Sequence, residues 1–171
     1  MKRKLLFLFV FAVGILVWSC GDDEPKVDLP GPIKDSKIYS YGITAPAGAT
    51  VTLDKTLKLS DFTAIESFEK YVSKGILSTE SYIDFIKVGS ENIELKDVTL
   101  QVKSNQKINY NLGTITGNTK FILLNDLNFL QQVVNEMVSK KEIILQLKYS
   151  SDNIISTESN LNLKIDITFD F

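Results

Sequence analysis

Along the last eleven residues, Leu161, Leu163, Ile165, Ile167, Phe169 and Phe171 alternate with Asn162, Lys164, Asp166, Thr168 and Asp170. Strict alternation of this kind predicts a strand with one buried and one solvated face. Ile143, Leu145, Leu147 and Tyr149 repeat the pattern one strand earlier. Less regular runs predict further strands at Lys37 to Ile43, Val51 to Leu59, Tyr82 to Val88, Ile93 to Val102, Lys107 to Ile115 and Thr119 to Leu124. In Ile93 to Val102 the alternation slips phase at Lys96-Asp97, the signature of a β-bulge.

Two segments change period. Leu127, Leu130, Val133, Val134, Met137 and Val138 recur at helical spacing, with Asn125 or Asp126 placed to cap the N-terminus. Phe62, Ile65, Phe68 and Val72 do the same after Ser60-Asp61, and Gly75 is the natural stop. The expected fold is therefore mainly β within the α+β class: antiparallel sheets or a sandwich, with two short helices over an edge or an end. Short matches also recur in the same order. Lys37-Ile38-Tyr39 parallels Lys107-Ile108-Asn109-Tyr110, Leu59-Ser60-Asp61-Phe62 parallels Leu124-Asn125-Asp126-Leu127, and Lys87 to Ile93 parallels Lys148 to Ile154. They suggest a duplicated ββαββ unit, with halves at 37–103 and 107–171 inside one globular domain, 37–171.

The N-terminus follows different rules. Lys2, Arg3 and Lys4 precede the uncharged run Leu5 to Trp18, which matches the length of a secretory signal and is too short to span a bilayer. The run closes on Val17-Trp18-Ser19-Cys20, which resembles the lipobox of a bacterial lipoprotein. The resemblance covers residues 1 to about 25. It implies removal of residues 1–19 and lipidation of the Cys20 thiol. Gly21-Asp22-Asp23-Glu24 follows at once, and acidic residues in that position resemble the surface-export signal of Bacteroidetes-type lipoproteins. Together they imply attachment to the outer membrane facing the exterior, with the periplasmic face as the alternative. Residues 20–36 then hold Pro25, Pro30 and Pro32 with Gly21 and Gly31, a composition that predicts an extended tether.

Composition narrows the chemistry. Removing residues 1–19 takes three of the nineteen basic residues and none of the 21 acids, so the mature chain carries sixteen lysines and a net charge of −5. That balance argues against nucleic acid, whose binding draws on clustered basic charge. The mature chain has no His, no Arg and no Cys beyond Cys20. Imidazole bases, thiolate nucleophiles, disulfides and His/Cys metal sites are thereby excluded, and no sequence motif for a cofactor is present. Two acid pairs remain for carboxylate catalysis. Asp166 and Asp170 lie four residues apart on one strand face, about 13 Å, beyond the ~5–9.5 Å of glycosidases; a solvated face is expected there. Glu91 and Glu94 flank a turn and are expected to be solvated as well. Tyr39 and Tyr41 share a strand face and are the candidate ligand platform, since exposed tyrosines stack on sugar rings.

The expectation is a membrane-anchored, non-enzymatic binding or structural domain, whose partner is a glycan or another envelope protein. The alternatives are a carboxylate-dependent glycan hydrolase and a carrier sheltering a lipid between sheet and helices.

Overall fold

The computed structural model describes residues 27–88, 93–116 and 127–171. Cys20, Asp22, Asp23, Glu24, Glu91, the strand expected at Thr119 to Leu124 and the cap residues Asn125 and Asp126 lie outside them. The described chain forms two four-stranded antiparallel sheets, an arrangement that fits a β-sandwich. In order come β1 (Ile33–Ala45), β2 (Thr50–Lys58), 3-10 turns at Leu59–Asp61 and Thr63–Tyr71, β3 (Lys74–Leu77) and β4 (Tyr82–Ile86). Then follow β5 (Glu94–Val102), β6 (Asn105–Thr116), helix α1 (Asn128–Lys140), β7 (Glu142–Ser150) and β8 (Ile155–Asp170).

The final alternating run is the centre of the first sheet. β8 pairs with β1 from Phe169 opposite Ile33 to Ile155 opposite Ala45, while its other edge takes β3 and then β4. β3 and β4 are two pieces of one interrupted strand. Leu77 lies opposite Ile167 and Tyr82 opposite Lys164, so residues 78–81 face only two residues of β8. Ser81 heals the interruption: its Oγ donates to the Asp166 carbonyl at 3.2 Å and accepts from the Asp166 N–H at 3.0 Å. The second sheet runs β2-β7-β5-β6. Both β1–β2 and β7–β8 pass from one sheet to the other, and Gly48 N–H joins the two corners by donating to the Ser151 carbonyl at 2.8 Å.

Strand β1 starts at Ile33, so residues expected in the tether are instead paired with β8. The slip at Lys96-Asp97 is a bulge: the β5 register shifts between Leu95 and Val98, and Asp97 has φ 53°. The helix expected from Phe62 is a 3-10 run. Phe62, Ile65 and Phe68 recur every third residue, the repeat of that tighter helix. It ends at Tyr71, and Gly75 lies within β3 instead of stopping a helix. The order of elements in the described chain is ββ-helical-ββ twice over, yet the pairing is not repeated: β1 pairs with β8 and β2 with β7, whereas β5 pairs with β6. The two expected halves thus share both sheets, with β1 and β2 of the first paired to β8 and β7 of the second.

Helix α1 buries Phe129, Leu130, Val133, Val134, Met137 and Val138 and covers the flank between the sheets. An edge strand presents unpaired backbone groups, and Gln131 answers two of them on β3. Its Nε2 donates to the Gly75 carbonyl at 2.8 Å, and its Oε1 accepts from Leu77 N–H at 2.9 Å.

Candidate functional site

Tyr39 and Tyr41 point inward. They are 5% and 2% exposed, so they form no exposed platform. The phase decides it: Tyr39, Tyr41, Ile43 and Ala45 share the buried face of β1, and Ile38, which obscures the alternation in the sequence, faces solvent. Each ring is held by its hydroxyl. Tyr39 donates to Asp61 Oδ2 at 3.0 Å, and Tyr41 donates across the sandwich to the Leu145 carbonyl at 3.0 Å. Tyr149 returns the cross-link from the other sheet, donating to the Thr44 carbonyl at 2.7 Å. Burial pushes all three phenols upward, with the Asp61 and Asp54 carboxylates adding to the effect at Tyr39 and Tyr41 respectively.

The acids are rearranged too. Asp166, expected on a solvated face, is 4% exposed. The 78–81 interruption lies over its row, Lys34 Nζ stands 3.5 Å from its Oδ1, and Lys164 Nζ stands 3.9 Å from its Oδ2. The same Lys34 reaches Glu80 at 3.4 Å, and hydrogen bonding to Glu80, followed by attraction to Asp166, raises the Lys34 ammonium. Glu94 is exposed at the start of β5. Among the described residues no His/Cys/Asp/Glu group is placed to hold a metal, and no helix is long and apolar enough to cross a membrane.

Two surfaces carry chemistry that the residue pattern alone did not single out. The first is the outer face of the β1-β8-β4 sheet. Register sets Ser40, Asn162 and Asp84 in one row, Ile38, Lys164 and Tyr82 in the next, and Gly42, Asn160 and Ile86 in a third. Ile38 is 53% and Ile86 46% exposed, so the rows expose aliphatic surface between amides, a hydroxyl and a carboxyl. Ser40 Oγ donates to Asn162 Oδ1 at 2.6 Å, and Lys164 Nζ lies 5.8 Å from the Tyr82 ring centre. Asp84 is the strained member: its Oδ1 is buried without a hydrogen-bond partner, and burial raises its pKa. A carboxyl held this way on an open sheet face marks a functional candidate.

That strain predicts a pH dependence. With a raised folded-state pKa, Asp84 favours the folded protein while protonated, and the contribution is lost as pH rises through the folded pKa. Asp84→Asn is therefore expected to stabilise the protein at neutral pH by several tenths of a kcal/mol to about 1 kcal/mol, partial exposure moderating the gain. The gain should vanish below the ordinary carboxyl range, near pH 3.9. Urea titrations at both pH values measure it, and a neutral-pH loss of stability would contradict the unpaired state of Asp84.

The second surface is a hollow of about 470 Å³ between the N-terminal end of β3 and the C-terminal half of α1. Val72, Gly75 and Val138 form its apolar part, and Ser73, Lys74, Asn135, Ser139 and Lys141 its polar part. No sequence motif flags it, because its residues come from segments about sixty apart and meet only through the packing of α1 on β3. No protein-family model, no curated protein and no solved structure matches the chain, so its function rests on the chemistry of these two surfaces.

Proposed function

We propose that the chain is a lipid-moored binding module of the bacterial outer surface, without catalytic activity, and that the outer face of the β1-β8-β4 sheet meets a glycan. The lipobox ending at Cys20 and the acids Asp22, Asp23 and Glu24 support the mooring and the outward display. The observation that carries the binding role is the set of rows around Tyr82, where exposed Ile38 and Ile86 alternate with Ser40, Asn160, Asn162 and Asp84. Pyranose rings present apolar C–H faces and a rim of hydroxyls. Aliphatic and aromatic side chains cover the former, and amides and carboxyls satisfy the latter. The tether joins β1 at Ile33, and the strand runs from there for thirteen residues, on the order of 40 Å. Ile43, Leu57, Ile83, Phe85, Leu161 and Leu163 are fully buried in one core cluster, which favours a surface-binding role over a lipid carrier.

The test has two readouts. Cys20→Ser should move the protein from the membrane fraction to the soluble fraction, and unchanged fractionation would remove the anchor. Against an array of polysaccharides, the full-length protein should retain a subset. The double variant Tyr82→Ala/Ile38→Ser should weaken that retention at least about tenfold, because an apolar side chain covered by a ligand contributes ~1–3 kcal/mol to binding. Retention equal to that of the unaltered protein would overturn the assignment of this face.

A further inference from the structure

We propose that the open edge of β1 takes an extended acidic segment of a partner protein as an added strand. The direction of the backbone groups follows from β8. Asp166 N–H and C=O both meet Ser81 Oγ, and the C=O also accepts from Ser78 N–H, so they point toward β3 and β4. Backbone groups alternate in direction along a strand. Leu161, Leu163 and Ile165 therefore turn theirs to β1, where Tyr41, Tyr39 and Lys37 stand opposite them in unbroken register. Ile38, Ser40 and Gly42, whose groups alternate with these, direct N–H and C=O away from β8. Both ends of this edge are closed from within the chain. Toward the start of β1, Ser36 N–H donates to Asp35 Oδ1 at 2.7 Å, and Ala64 N–H of the 3-10 run donates to Asp35 Oδ2 at 2.9 Å. Toward its end, the Thr44 carbonyl accepts from the Tyr149 hydroxyl at 2.7 Å. Between them, no described residue bonds the outward N–H or C=O of Ile38, Ser40 or Gly42. An open strand edge is a template for a further strand, whose main-chain hydrogen bonds supply affinity.

Charge selects the occupant. Lys37 shares the strand phase of buried Tyr39 and Tyr41, which sets it on the side facing the second sheet, yet it is exposed. Lys55 reaches the same flank from β2, with its Nζ 6.0 Å from the Tyr41 ring centre. Neither ammonium forms an ion pair with a described residue. The acids of the flank are turned to other donors: Asp35 to Ser36 and Ala64, and Asp61 Oδ2 to Lys58 N–H at 2.9 Å and Tyr39 O–H at 3.0 Å. An added strand presents alternate side chains on two faces. One set would continue the solvent face beside Ile38 and Ser40. The other would lie over the flank beside Lys37 and Tyr41, where acidic side chains meet two unpaired ammonium groups. The same lysines oppose a second copy of this chain. Pairing β1 with β1 about a two-fold axis at Ser40 would set Tyr39 opposite Tyr41 of the other copy and bring Lys37 toward that copy's Lys55. Like charges so placed repel, so the edge rejects its own copy and admits an acidic strand.

Calorimetric titration of the purified full-length protein with the synthetic peptide acetyl-Thr-Asp-Val-Glu-Val-Asp-Thr-amide tests the edge. Extended, this peptide has one wholly acidic face. The proposal expects binding at or below about 1 mM, weakened about three- to tenfold in Lys37→Gln/Lys55→Gln and lost when the peptide's acids are replaced by lysine. Peptides N-methylated at the acids, or instead at the valines, separate strand pairing from charge attraction. Only one of these alternate sets turns its N–H to β1, so one modification should abolish binding and the other preserve it. Thermal melts establish that the lysine variant is folded, and the methylated peptides need no variant. No heat up to about 1 mM peptide, equal affinity for acidic and basic peptides, or unchanged affinity in the folded lysine variant would each overturn the proposal. So would undiminished binding of both methylated peptides, or a concentration-dependent dimer in sedimentation of the protein alone, which would place a second copy on this edge. Lys37 and Lys55 lie off the outer face of the β1-β8-β4 sheet, so their variant should retain polysaccharides as the unaltered protein does. Failure of the sheet-face reading and failure of this one are therefore read separately.

Discussion

Phe169→Ala is expected to lower the unfolding free energy by about 3–5 kcal/mol, the usual range for truncating a fully buried phenylalanine. The residue sits near the end of β8, the strand on which the first sheet is assembled. Its Cα faces Ile33 of β1 on one side and Gly75 of β3 on the other. Its ring is fully buried and meets Phe62 edge-to-face, with centroids 5.1 Å apart. Truncation therefore removes buried apolar surface, an aromatic pair and the packing that seats the 3-10 run on the sheet. A domain of this size has on the order of 5–15 kcal/mol in all, so the midpoint of thermal unfolding should fall by roughly 10 °C. Phe171, two residues on, provides the control. It is only half-buried and meets Phe68 at 5.8 Å, so Phe171→Ala should cost clearly less. Equal losses from the two substitutions, followed by calorimetry, would contradict the central place of β8.

The same strand shows why some of the fold was legible in the chain and some was not. β8 and β7 could be read because a strictly alternating run leaves one assignment open. In β1 a single residue, Ile38, puts an aliphatic side chain on the solvent face, and this blurs the phase just where Tyr39 and Tyr41 need it. The face around Tyr82 was hidden for a related reason. Whether a strand's polar side is solvated depends on which strands lie beside it, and that is a property of register. Asp166 illustrates the point: Lys164 and Thr168, which share its strand face, look solvated in the sequence, but the 78–81 turn and Lys34 cover it. Asp84 could not be recognised before its row was known, because nothing local distinguishes it from any other acid on a strand. β3 escaped notice because Gly75 reads as a helix stop, while its actual role depends on a helix more than fifty residues away.

That role makes Gly75 the most exacting position on the α1 flank. A Cβ placed there would stand 2.8 Å from Val134 Cγ1, 3.2 Å from Ile167 Cγ2 and 3.3 Å from Val138 Cγ2. The valine methyls cannot swing aside, because β-branched side chains on a helix hold one χ1 rotamer. The helix itself must retreat. Retreat would stretch the two bonds by which Gln131 covers the edge of β3, at 2.8 and 2.9 Å, and would widen the hollow that Gly75 and Val138 line. Gly75→Ala is accordingly expected to destabilise the protein by about 1–3 kcal/mol, the range for overpacking a close-packed interior. Val134→Ala alone should also destabilise, by loss of buried methyls. Combined, the two should be more stable than the sum of their separate losses by at least about 0.5 kcal/mol, since the second substitution makes room for the first. Denaturant titration of all four proteins closes the cycle. Strict additivity, or a Gly75→Ala variant as stable as the unaltered chain, would mean that α1 does not press on β3 at this glycine. The hollow would then owe its shape to something other than this close approach.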